Sequence, residues 1–537
     1  MTAEERVEKL SLDELAGQVL CFDIYGKEDP KEVEENVKKM RPGGIFLQGT
    51  TAEQIKLYTE MAEKYSSVPV IVAGEIEDGP GYSIKGAGDI PHLMALSAAD
   101  DPELVEKLGR EMGNVCRKHG FVWPFAPVVD LCFNFRAPES NVRTASDSPK
   151  QVVKITGALI RGLKHNHNMV PCAKHFPGEG VDDRNSHFVT TINTLSKEEW
   201  MNTYGYVYKE LIKAGLPSIM IGHVALPAYE TEREPVTGCY LPAVFSKSII
   251  TGLLKEELGF DGCVVSDAMS MIGAAACVED LGDIAIKFLN AGGDMVLFPE
   301  PTDHDRIVEA VKNGELSIER LKDAATRVIK LKEKANLFGD YKTEEPTDQR
   351  EEMLKTAQLI ADKSIKIVRN LEGVLPVRPH KGMKVLLLEM FEPYFHAKPT
   401  GKEFDALSDE LEKYGCKVDR LYNPDHKKVK SVMDDYDFIV LCCKMSANDY
   451  HGGTMRIGWN NIMMLWRAYV LQHPKFAFVS FGEPFKLYDA PYLKTYVNAY
   501  SPADASQRAV AKVLLGQIEA KGKNPVSFKG FFEREVD

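Results

Sequence analysis

SPKQVVKITGALIRGLKHNHNMVPCAKHFPGEG, residues 148–180, decides the fold. Its first eighteen residues carry apolar side chains at helical spacing. PCAKHF, 171–176, then reads as a short buried strand. The strand empties into KHFPGEGVDDRNSH, 174–187, a stretch too polar for a buried strand and too rich in glycine and proline for a helix. A rigid strand that ends in a charged loop is a common setting for an active site.

The same alternation runs outward in both directions. Strand-like runs are QVLCFDIY (18–25), GGIFLQ (43–48), PVIVAGE (69–75), FVWPFAPVVD (121–130), PCAKHF (171–176), SIMIGHVAL (218–226), GCVVSDAM (262–269) and DMVLFP (294–299). Helical patterns such as 102–119 and 148–165 fill most of the gaps. Eight buried strands alternating with helices predict a (β/α)8 barrel over residues 1–340, with catalytic residues at the C-terminal strand ends. That rule gathers Glu75, Asp130, Lys174, His175 and Asp267 on one face, with His223 in the latter half of the sixth strand. His165 and His167 precede a strand and fall on the opposite face. The helical stretch 318–338 leads to charged GDYKTEEPTDQREE, and 341–360 reads as a linker. Five further runs, at 384–391, 416–423, 438–443, 476–482 and 495–500, predict a smaller doubly wound α/β sandwich domain over 361–537.

Composition narrows the function. The chain has 537 residues, 44% of them hydrophobic and 27% charged, as in soluble globular proteins. A net charge of −13 argues against nucleic acid or an anionic membrane as the main partner. No apolar run approaches a membrane span, and the charged N-terminus has no secretory pattern. Ten cysteines are scattered without a CxxC pair, which fits a reducing cytoplasm better than a disulfide framework.

Each polar residue has a bland and a chemical reading. Asp267, in VVSDAMSM, reads as a helix N-cap or as a nucleophile. Lys174 and His175 are neighbours whose side chains share a ligand only where the strand ends or bulges; the alternative is a salt-bridged barrel end. Arg143, in NVRTASDSP, offers five rigid donors to a polyhydroxylated ligand or is a solvated loop arginine. His187 is an exposed loop histidine or a proton-transfer group.

Taken together, KHFPGEG followed by NSH, with SDAMSM downstream, resembles glycoside hydrolase family 3, nearest the β-N-acetylglucosaminidase branch. FAPVVDLCFN, NVRTASDSP, FGEPFKL and AYSPADASQRAVAKVLLGQI extend the resemblance over nearly the whole chain. It implies a bacterial enzyme, cytoplasmic by its thiols and charged N-terminus, that hydrolyses glycosides with retention through a covalent glycosyl-aspartate. Asp267 falls on the family's nucleophile and His187 on its loop acid/base. Lys174, His175, Arg143 and Glu75 fall on sugar-binding positions, and Asp130 and His223 are assigned beside them. No metal or organic cofactor is implied; the partner is a small glycoside or oligosaccharide, and a homodimer is left open.

Two departures from the family pattern stand out. Glu179 replaces the second histidine of KHFPGHG. Asn185 replaces the aspartate of the DSH triplet; its carbonyl can accept the Nδ1 hydrogen bond of His187 but supplies no charge to favour the imidazolium. Asp182, Asp183 and Glu179 are therefore alternative acids or orienting groups. Competing readings are a β-glucosidase or β-xylosidase, a glycoside phosphorylase, a metal-dependent barrel hydrolase using His165-x-His167, and a non-catalytic sugar-binding protein. The loop 446–461 offers Asp449, His451 and Arg456 but not the glutamate from which the family's β-glucosidases and β-xylosidases take their acid, which favours the His187 mechanism or a binding role for the loop.

Overall fold

The computed structural model describes residues 1–165, 169–339, 346–391, 398–445, 457 and 459–537. Two compact units interleave along the chain. One holds Met1–Gly88, Val105–Leu131 and Val152–Met353; the other holds Asp89–Leu104, Cys132–Gln151 and Leu354–Asp537. The contiguous 1–340 and 361–537 division is corrected accordingly: segments 89–104 and 132–151 bury Met94, Ala95, Ala98, Cys132 and Val142 in the core of the second unit.

The first unit is a parallel barrel. Its strands are β1 (Leu20–Tyr25), β2 (Gly44–Gln48), β3 (Ile71–Gly74), β4 (Trp123–Pro124), β5 (Cys172–Phe176), β6 (Ser218–Ile221), β7 (Cys263–Ser266) and β8 (Val296–Leu297). They pair as β8-β1-β2-β3-β4 and as β5-β6-β7. Parallel bridges Val128↔Lys174 and Val265↔Met295 close the ring. Cys21, Phe46, Ala73, Trp123, Cys172, Met220, Val265 and Met295 pack together as one apolar cluster. Side chains of this kind fill a small barrel as a core, not a pore. Several surrounding helices open on capping boxes readable in the sequence, Ser11 with Glu14, Thr51 with Gln54 and Ser196 with Glu199.

All eight strands are shorter than the runs read in the sequence, the fourth, sixth and eighth among the most shortened. In the fourth, Pro124 and Pro127 lack N–H donors, so the ladder is interrupted before Val128. The sixth ends at Ile221; Val224–Ala225 then pairs with Thr191–Ile192 in a separate two-stranded sheet. His223 therefore lies beyond the strand, not within its latter half. The eighth pairs only over Val296–Leu297.

The second unit contains the doubly wound sheet. Its strands are β9 (Lys366–Asn370), β10 (Lys384–Phe391), β11 (Lys417–Tyr422), β12 (Phe438–Lys444), β13 (Phe476–Ser480) and β14 (Thr495–Asn498), in the order β9-β14-β13-β12-β10-β11. All neighbours are parallel except β9 with β14. The edge strand β9 was not foreseen. The stretch taken as linker is corrected too. Residues 340–345 lie outside the described residues, but Arg350–Ser364 is a helix. Met353, Ala357, Ile360 and Ala361 give it a buried stripe at helical spacing.

Candidate active site

The catalytic end of the barrel is built from loops anchored to strand ends. Pairing between β5 and β6 loses register between Ala173 and Phe176, and the Lys174–His175 peptide is cis. Lys174 and His175 sit in that break. The buried Lys174 ammonium lies 2.7 Å from Glu75 Oε1 and 2.6 Å from Glu77 Oε1. Glu77 was missed in the sequence; its loop, EIEDGPG, reads as solvated charge.

Asp130 is fully buried and orients its neighbours. Its Oδ2 lies 2.8 Å from His175 Nδ1, and its Oδ1 accepts the Glu179 backbone N–H at 2.8 Å. The His175 backbone N–H points at the same carboxylate. The expectation that Asp130 grips substrate is corrected: its oxygens are occupied by the loop that carries Lys174 and His175. A carboxylate on Nδ1 fixes the ring and leaves Nε2 as its outward nitrogen.

Asp267 follows β7 directly. Its backbone N–H donates to Ile221 O at 2.9 Å, and its Oδ1 accepts the Ala268 N–H at 2.8 Å. The next helix, Ile272–Ala275, begins after Met271 with no side-chain cap, so Asp267 is not an N-cap. Burial alone would raise its carboxyl. His175, His223, the Ala268 N–H and His187 outweigh that and hold it below the usual carboxylate range. His223 is fully buried, and its Nε2–H donates to Ala268 O at 2.9 Å. Burial lowers its pKa, against the pull of Asp267, so the ring is neutral at pH 7. The neutral His223 thus holds the carbonyl of the residue after Asp267 through Nε2, while its Nδ1 has no hydrogen-bond partner among the described residues.

His187 sits on a closed turn. Asn185 Oδ1 accepts the His187 backbone N–H at 2.8 Å and lies 2.9 Å from its Nδ1. Asn185 O accepts the Phe188 and Val189 N–H groups. The turn is joined to the segment after the nucleophile: Ile272 N–H donates to His187 O at 3.1 Å, and Thr190 Oγ1 donates to Gly273 O at 2.8 Å.

The alternative acids are placed differently. Glu179 is buried; both its carboxylate oxygens lie 3.1 Å from the Thr191 hydroxyl, and its backbone O accepts the Tyr204 hydroxyl. Asp182 accepts the Ile192 N–H at 2.8 Å and pairs with Arg184. Burial would raise its carboxyl, but Arg184 and the backbone donors hold it below the usual range, which unsuits it for donating a proton. Asp183 is exposed to solvent. Arg143 belongs to the second unit, where its Nη1 donates to Glu139 O at 3.0 Å and to Glu139 Oε2 at 2.8 Å. His167 lies outside the described residues, as do 446–456 and 458 of the 446–461 loop. One half-buried acid on the barrel wall was also missed: Asp23, on β1, is pushed up to about 6, chiefly by loss of solvation.

The profile of the Glycosyl hydrolase family 3 N terminal domain matches residues 4–331. The chain belongs to glycoside hydrolase family 3. It is 29% identical over 540 residues to a β-N-acetylglucosaminidase/β-glucosidase of Cellulomonas fimi, covering 96% of this chain and 93% of that protein. Among solved structures it is similar to the β-glucoside phosphorylase BglX bound to 2FGlc, with a TM-score of 0.86 and 28% identity over 98% of this chain and 96% of the other. A β-N-acetylglucosaminidase from Paenibacillus sp. str. FPU-7 shares the fold, with a TM-score of 0.83 at 24% identity over 96% and 99% of the two chains. The barrel and its companion domain are thus those of this family, and the protein is a glycoside hydrolase.

Proposed function

We propose that the protein is a retaining, exo-acting β-glycoside hydrolase that removes a terminal β-N-acetylglucosamine. Asp267 attacks the anomeric carbon as the bond to the leaving oxygen breaks and His187 protonates that oxygen. The resulting glycosyl-aspartate is hydrolysed by a water that gives its proton back to His187 as its oxygen displaces the carboxylate. Lys174, His175 and Glu75 supply the donors and acceptors that sugar hydroxyls need. The observation that carries this reading is the Asp267 carboxylate at the end of β7, on a segment hydrogen-bonded to the His187 turn. The names of the relatives support N-acetylglucosamine, with glucose as the alternative. Ten free cysteines, nine of them buried, support a reducing cytoplasm.

Phosphorolysis is the second reading. Asn185 gives His187 a neutral partner, and the neutral pair does not repel a phosphate dianion as a carboxylate would. The likeness to a β-glucoside phosphorylase points the same way.

Rates of wild type, Asp267→Ala and His187→Ala on p-nitrophenyl β-glycosides and matching disaccharides, with and without phosphate, test both readings. Asp267→Ala is expected to lose on the order of 10⁴-fold in kcat. His187→Ala is expected to keep the p-nitrophenyl substrate, whose leaving group needs little acid, and to lose the disaccharide. Near-normal turnover by Asp267→Ala contradicts the mechanism. A rate that depends on phosphate selects phosphorolysis.

A further inference from the structure

The acid/base turn carries apolar side chains that nothing in the hydrolytic scheme uses. Phe188 is 51% exposed, Val189 38% and Ile272 52%. Phe188 follows His187 in the chain, and Ile272 is tied to His187 by the hydrogen bond from its N–H to the His187 carbonyl. Isolated exposed apolar residues are ordinary, but a group of them beside a functional side chain marks a binding surface.

This surface is also rigid. The Phe188 and Val189 N–H groups are both held by Asn185 O, at 3.0 and 3.1 Å. Gly273, next to Ile272, is pressed against the turn so closely that a Cβ there would stand 2.2 Å from Ser186 O and 2.9 Å from Val189 O. Thr190 bonds the same glycine's carbonyl. Apolar side chains fixed in advance on a braced backbone lose little freedom when a ligand lies on them.

The reaction defines what lies there. His187 must reach the glycosidic oxygen, so the group bonded to that oxygen lies on the side of His187 away from the sugar grips at Lys174 and Glu75. We propose that Phe188 and Ile272 form a leaving-group subsite for an apolar aglycone, an alkyl or aryl group rather than a second sugar. The exposed phenyl ring and branched alkyl group beside His187 offer that group apolar contact rather than hydrogen bonds. This inference rests on the glycosidase reading above and names the substrate class of that site.

Methyl, butyl and octyl β-N-acetylglucosaminides, with the matching glucosides, test it. Their leaving alcohols are nearly equal in acidity, so differences in rate report contacts with the chain. Methylenes lying on one exposed face recover part of the value of full burial, so wild-type kcat/KM is expected to rise about tenfold from methyl to octyl. The Phe188→Ser, Ile272→Ser double variant is expected to bring the octyl-to-methyl ratio to within about twofold of unity, while Phe188→Leu, still apolar, keeps most of the rise. Each single serine variant should lower the ratio partway, which serves if the double variant folds poorly. A flat wild-type series that is nonetheless turned over overturns the subsite and leaves the glycosidase reading standing. No turnover of any member overturns both. A third outcome is a wild-type dimer by light scattering that the double variant makes monomeric with the ratio unchanged; it assigns the patch to a second copy of the chain and overturns the proposal.

Discussion

Asn185 is the residue on which the proton transfer turns. Its side-chain oxygen accepts from both the backbone N–H and the Nδ1 side of His187, so the ring is held in one orientation. What differs is charge. Replacing Asn185 with Asp keeps both acceptors and adds a negative charge beside the imidazole, which favours the imidazolium. His187 then stays protonated to higher pH. The alkaline limb of kcat/KM on a disaccharide is therefore expected to move to higher pH in Asn185→Asp, and phosphate is expected to compete less well with water. An unmoved alkaline limb in the pH–rate profile would mean that His187 is not the acid. Residue identity also decides what the sequence could reveal here. Lys174, His175 and Asp267 stood out because they end apolar runs at the open face of a barrel. The clasp of Asp130 on His175 spans 45 residues and leaves no spacing signal, and Glu77 is masked by its acidic loop.

At the scale of elements, the site depends on two short pieces held together: the turn 185–190 and the helix Ile272–Ala275. Gly273 sits at their contact, where a Cβ would also come within 3.2 Å of His223 Cβ. Gly273→Ala must push the turn away from the segment that follows Asp267. Misplacing a catalytic group by about 1 Å can cost on the order of 10²-fold, so a loss of about 10- to 100-fold in kcat on a disaccharide is expected. A p-nitrophenyl glycoside should lose less. Equal losses on both substrates in a folded variant would show that the contact does not act through His187. Most strands of both units were legible because strands buried on both faces read as continuous apolar runs. Their lengths were not. Pro124 and Pro127 interrupt the fourth strand, and the sixth ends before Gly222, where a Cβ would stand 2.9 Å from His175 Cβ. β9, KIVRN, is a half-buried edge with two charges and no apolar run, and the helix Arg350–Ser364 is disguised by an acidic, proline-containing start.

Across the whole molecule, stability and function are separated along the barrel. At the end away from the site, Lys332 is fully buried with its Nζ donating to Gln18 Oε1 at 2.6 Å. Burial lowers its pKa from 10.5 to about 7. The unfolded chain therefore binds more protons than the folded one between about pH 7 and 10.5, and linkage makes stability rise with pH across that window. Lys332→Met removes this component. The melting temperature of wild type relative to Lys332→Met is expected to increase from pH 7 to pH 9; a constant difference would contradict the buried, largely neutral amine. Chemistry is confined to the opposite end, and its central claim is that Asp267 becomes covalently glycosylated. The most direct test is mass spectrometry of the peptides after incubation with a 5-fluoro-N-acetylglucosaminyl fluoride or a 2-deoxy-2-fluoro glucoside, reagents that slow release of the glycosyl-enzyme. The account predicts one added fluorosugar on the peptide containing Asp267. An adduct on another residue, or α-configured product formed with no adduct, would contradict it.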